Sequence, residues 1–143
     1  PAALVPLTDA RERVRALVRE RQDARRTSLG AWVLDAARRA PGGRALWLGG
    51  QEVPPPPGFD WTIIDPADAS LTTLPDAAFR LIVALGEVAP RPFARLVEQG
   101  GVVAFETGTD GVADRLAGTG LRIQEIEATP DGRHRLICRR EGA

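Results

Sequence analysis

The chain has 143 residues, enough for one domain with a real buried core. Hydrophobic residues make up 43%, charged residues 27%, and the net charge is zero, the balance of a soluble globular protein rather than of a net basic nucleic-acid domain. No apolar run approaches the roughly 20 residues that cross a bilayer, and the single cysteine, Cys138, excludes an internal disulfide and any multi-cysteine metal site.

The opening residues, PAALVPLTDARERV, lack the basic-then-apolar layout of a signal peptide, so a cytoplasmic location is expected. Pro1 is compatible both with removal of an initiator methionine and with a domain cut from a longer chain. All 19 basic residues are arginine, and lysine, asparagine, tyrosine and methionine are absent. A GC-rich genome, as of a GC-rich bacterium, explains this bias; selection for guanidinium contacts with phosphate is the alternative. Charge is unevenly placed. Residues 1–44 carry ten arginines against five acids, residues 45–114 three against ten, and residues 115–143 six against four. A basic helical end on an acidic body points to complementarity within or between subunits.

In chain order, Asp9 with Glu12 reads as an N-cap and capping-box partner opening a helix through about Arg26. Its apolar positions Ala10, Val14, Leu17 and Val18 share one face, which suits packing or dimerisation. Thr27 or Ser28 then caps a second helix with the face Leu29, Trp32, Val33, Ala36 and Ala37, stopped by Pro41-Gly42-Gly43. The run at 45–48 reads as a strand buried on both faces. Only ten residues, 51–60, separate it from the next run at 61–64, and residues 54–57 are four prolines that cannot be helix interior. A polyproline rod of about 3.1 Å per residue covers the return, so parallel pairing without a crossover helix is expected; antiparallel pairing is the alternative.

Asp65 follows as the N-cap of a short turn with Pro66 at its first position. Strands are expected at 81–85 and 102–105, separated by a helix over 93–99 that Gly100-Gly101 ends. Thr109 or Asp110 caps a short helix containing Val112 and Leu116. Two alternating runs, LRIQEIEA and RHRLICRR, joined by Thr129-Pro130-Asp131-Gly132, predict an antiparallel hairpin with Leu121, Ile123, Ile126, Leu136 and Cys138 turned inward.

This order, over about residues 29–140, resembles the class I S-adenosylmethionine-dependent methyltransferases. RALWLGG is similar to their first strand and glycine motif, and TIIDPA to the second strand with its ribose-binding acid. LPDAAFRLIVALGEV resembles the run into their fourth strand, LVEQGGVVAFET the Gly-Gly turn and fifth strand, and GLRIQEIEATPDGRHRLICRR the last two strands. The resemblance implies cofactor contacts at Gly49, Gly50, Asp65 and Glu87. The departures fall at the same place. Trp47 stands where the family has an acid, Gln51 and Val53 where it has its second and third motif glycines, and Arg80 where it has the aspartate of its "F-D" phrase. Fourteen residues between Asp65 and Arg80 replace a helix and a third strand. Asp65 is equally explained by capping, and Glu87 by a solvated loop.

The expected fold is α/β: a Rossmann-like, mostly parallel sheet with a C-terminal antiparallel hairpin, shortened at the crossover helix and third strand. Residues 1–28 form an N-terminal amphipathic helical extension and residues 29–143 the methyltransferase-like domain, together one compact unit. No catalytic residue is assigned and no metal site is expected; His134 reads as a surface residue, Cys138 as core, and Trp32, Trp47 and Trp61 as core or interface anchors. The functional expectation is a degenerate, non-catalytic methyltransferase-like domain serving as a binding, scaffolding or oligomerisation module. Its partner would be a second copy or another protein at the N-terminal helix, with no membrane or nucleic acid expected. A minimal active methyltransferase on a small molecule, with S-adenosylmethionine as cofactor, is the first alternative. An arginine-dependent RNA or phosphate binder is the second.

Overall fold

Where two N-terminal helices were expected, the computed structural model has one, α1 (Leu7–Arg38). The structure describes residues 7–50, 52–65, 72–85, 91–108, 116, 118–129 and 132–141. Asp9 therefore lies inside the helix instead of capping it, and Thr27 and Ser28 do not break it. The Thr27 hydroxyl donates to the Asp23 carbonyl one turn back at 3.0 Å, and Ser28 Oγ accepts from Arg135 at 2.6 Å. A serine or threonine that finds such partners stays within a helix.

The strands are β1 (Gly43–Leu48), β2 (Phe59–Ile64), β3 (Phe79–Ala84), β4 (Val97–Thr107), β5 (Leu121–Ala128) and β6 (His134–Arg140), with a short helix α2 (Arg91–Leu96) before β4. They form one sheet in the order β2-β1-β3-β4-β6-β5. β2, β1, β3 and β4 are parallel; β6 is antiparallel to both β4 and β5. This is the Rossmann-like sheet with a terminal hairpin that the pattern implied. The proline-rich link does return β2 parallel to β1, pairing Ala45 with Trp61 and Leu48 with Ile64. Among the described residues of that link there is no helix. Val53 and Pro56 are buried instead, and Trp61 Nε1 donates to the Pro56 carbonyl at 2.7 Å.

Two expectations around β4 are corrected. The helix ends at Leu96, and β4 begins at Val97 instead of 102. Gly100 and Gly101 lie within the strand, where the pairing with β3 jumps from Phe79↔Val97 to Leu81↔Val102. A Cβ at Gly101 would lie 2.6 Å from Val97 Cγ2 and 3.0 Å from the Arg80 carbonyl, so this bulge admits only glycine. Arg80 braces it, donating to Glu98 at 2.7 Å and to the Gly42 carbonyl at 3.3 Å. In the hairpin, the register shift between Ile123 and Glu125 pairs Ile126 with buried Leu136, yet Ile126 is exposed on the edge strand β5. The expected helix near 109–118 lies outside the described residues, apart from Leu116, which is helical and buried.

The core has two layers, one on each face of the sheet. Leu29, Trp32, Val33 and Ala36 of α1, with Ala40 just after it, cover Ala45, Trp47, Leu81, Val83, Ala104 and Ile137 on one face. Phe93, Leu96 and Leu116 cover Leu46, Leu48, Ile82, Phe105 and Cys138 on the other. Only the C-terminal half of α1 takes part. From Ala10 to Ala24 its side chains are exposed, Ala16 alone being half-buried.

Candidate functional site

Parallel strands bind ligands beyond their C-terminal ends, where the chain leaves the sheet. At the ends of β1 and β2, Gly49, Gly50, Ile63, Ile64, Asp65 and Leu85 line an open cleft of about 410 Å³. The sequence thus brought three of its four candidate residues to one place: Gly49, Gly50 and Asp65. The fourth, Glu87, lies outside the described residues.

The two glycines differ in kind. Gly49 has φ +115°, and a Cβ there would stand 2.6 Å from the Leu85 carbonyl oxygen. It is glycine because the ends of β1 and β3 nearly touch, Leu85 N–H donating to the Leu48 carbonyl at 2.8 Å. At Gly50 an added Cβ would meet nothing within 4 Å, so that position faces open space. Its carbonyl is already held, accepting from Trp47 Nε1 at 3.2 Å.

Trp47 stands where the resemblance places an acid. It is fully buried in the layer under α1, packed edge-on against Trp61 with ring centroids 5.5 Å apart. An indole that fills the core and ties back the following turn supplies no carboxylate to the cleft. Asp65 stands exposed at the cleft wall, directly after β2, the edge strand. No strand flanks β2 on its outer side among the described residues, so the cleft is open there. Asp65 and one unobstructed glycine are present at the cleft. The acid on β1, the helix behind the glycine turn and the wall beyond β2 are not, among the described residues. The residues do not fit S-adenosylmethionine as a complete site, and no chemical step is routed through it.

A second cluster, which sequence reading missed, sits at the end of β4. Glu106 is fully buried and takes hydrogen bonds from two arginines. Arg25 of α1 donates to it at 3.1 Å and Arg135 of β6 at 3.3 Å. Arg25 also grips Glu52 at 2.9 Å. The Arg25 guanidinium is held further toward its charged form, first by its hydrogen bond to Glu52 and against some desolvation, then by Glu106. Arg135 is 3% exposed, and its guanidinium carbon lies 5.9 Å from the centroid of the Trp32 ring. These contacts fasten α1, the proline link, β4 and β6 together. Only an acid placed at the end of an otherwise apolar strand, GVVAFET, hinted at it.

Cys138 and His134 both lie on β6. Cys138 is fully buried in β6, and desolvation pushes its thiol up to about 12. His134 is half-buried, opposite Thr107 and Ala128 in the hairpin pairing. Among the described residues no group of three or more His, Cys, Asp or Glu could hold a metal ion. No described helix is long and apolar enough to cross a membrane.

No protein-family model matches the chain. No curated protein matches it either. Solved structures do. A possible exported protein from Bordetella parapertussis superposes with a TM-score of 0.58 at 10% identity, over 87% of this chain and 68% of that one. A variant of the 16S rRNA (adenine(1408)-N(1))-methyltransferase from Catenulisporales acidiphilia gives 0.52 at 12% identity, over 79% and 91%. A chain of the complex between the Haloferax volcanii Trm112 methyltransferase activator and a methyltransferase gives 0.51 at 10% identity, over 84% and 95%. At these identities the likeness concerns architecture. The chain has a methyltransferase-like, Rossmann-like fold.

Proposed function

We propose that this chain is a methyltransferase-like domain without efficient cofactor binding, working as a binding or scaffolding module through its N-terminal helix. The observation that carries this reading is the proline link. Where a crossover helix would present its N-terminus to a bound ligand, Val53 and Pro56 are buried and Trp47 closes the turn through the Gly50 carbonyl. Titration calorimetry of the full chain with S-adenosylmethionine and S-adenosylhomocysteine is the test. No binding, or binding indifferent to Asp65→Ala, is expected; micromolar binding abolished by Asp65→Ala would overturn the reading.

One observation favours the minimal methyltransferase instead: Gly49, Gly50 and Asp65 do converge on one cleft, and none of the four prolines lines it. Against it, that cleft is open among the described residues, whereas methyl transfer to a small molecule needs the acceptor sequestered from water.

A further inference from the structure

The helix α1 is antiparallel to β1, because only residues 39–42 join them. Its N-terminal end therefore points toward the C-terminal ends of the parallel strands. Arg25 marks where the sheet stops, since its partner Glu106 is the second-last residue of β4. Residues 10–24 project past that edge as an arm that no other described element covers, and the arm carries Val14, Leu17 and Val18, exposed by 59%, 56% and 47%.

Alone, this arm is a poor helix. Arg11, Arg15 and Arg19 follow one another at i, i+4, a like-charge series that disfavours it, and a segment of this length is marginal in water. Its pattern is that of a coiled-coil seam. Ala10, Leu17 and Ala24 take d positions and Val14 and Arg21 take a positions, with Arg13 and Glu20 at g and Arg11 and Val18 at e.

We propose that the arm pairs with the same arm of a second copy, antiparallel, about a two-fold axis between Arg15 and Ala16. This inference rests on the reading of α1 as the interaction element and names its occupant. The antiparallel register stacks Val14 on Leu17 of the other copy twice over and sets Arg21 against the small Ala10, where its stem can lie along the seam. On the flanks Arg13 meets Glu20 reciprocally, giving two ion pairs, and the Arg11 stem covers Val18. A parallel pair is worse on each count. It stacks Arg21 on Arg21 within the seam, and it asks Glu20 to pair with Arg25, already engaged by Glu52 and Glu106. The bare edge of β2 is a weaker interface, because Asp60 and Asp65 put charge on it and the proline link precedes it.

Sedimentation velocity on the full chain across roughly 5 to 200 µM is expected to show monomer–dimer exchange. Val14→Glu or Leu17→Glu should weaken the dimer at least about tenfold, while near-ultraviolet circular dichroism of the body stays unchanged. Arg13→Glu and Glu20→Arg should each weaken it about two- to fivefold, and the double exchange should restore it. A chain that stays monomeric overturns self-pairing and leaves the cofactor titration to judge the cleft independently. A dimer that survives Leu17→Glu places the interface elsewhere and also overturns it. Failure of the double exchange to restore association overturns the antiparallel register.

Discussion

The strand ends at the two sides of this sheet are built differently. At the β4–β6 side a buried carboxylate, two arginines and a serine lock α1, β4 and β6 together. At the β1–β2 side the edge strand is half-covered and, among the described residues, a cleft opens at the strand ends. Buried charge is costly to break, so the first side secures the fold. The second leaves the cleft lined by Gly49, Gly50 and Asp65 accessible.

The largest break should come at the locked side. Glu106→Ala leaves Arg25 and Arg135 facing a hole, and about 3–5 kcal/mol of stability should disappear, measured by urea unfolding. Next comes Gly49→Ala, at the boundary between structure and site. Its positive φ and the contact with the Leu85 carbonyl should cost about 1–3 kcal/mol and disturb the β1–β3 junction.

A third measurement concerns the β6 thiol and its dependence on pH. Cys138 stays protonated in the folded chain until about 12, whereas its ordinary value is 9.0. Between those values the unfolded chain binds fewer protons than the folded one, so stability falls as pH rises through that window. Lysine and tyrosine are absent from the sequence, so almost nothing else titrates there. The slope should reach about 1.4 kcal/mol per pH unit at most and largely vanish in Cys138→Ala. Smallest of all, Gly50→Ala should alter stability by less than about 0.5 kcal/mol, because its Cβ points into open space. If Gly50→Ala destabilises like Gly49→Ala, the turn is more constrained than its surroundings indicate, and the contrast between the two glycines fails.

Much of this could be read from residues. The alternation in LRIQEIEA and RHRLICRR led to the hairpin, and the length of the proline segment allowed a parallel return. Gly49, Gly50 and Asp65 meet because each ends a strand of the same parallel pair. What escaped depended on partners far away in sequence. Ser28 looked like a cap until Arg135 was found donating to it, and Glu106 draws its partners from residues 25 and 135. The start of β4 was hidden because Val97 continues the helix's apolar spacing, while the strand tolerates the two glycines only through a bulge opposite Arg80.

The unbroken course of α1 from its exposed end into the core makes it a spacer of fixed length. At 1.5 Å per residue, a two-fold axis near residue 15 lies about 25 Å from Val33 at the centre of the buried segment. Two copies joined there would hold their sheets roughly 50 Å apart, and with no glycine or proline between Ala10 and Leu29 the connection is stiff. Small-angle scattering would register such a dimer as a dumbbell, with the two clefts held at a set separation.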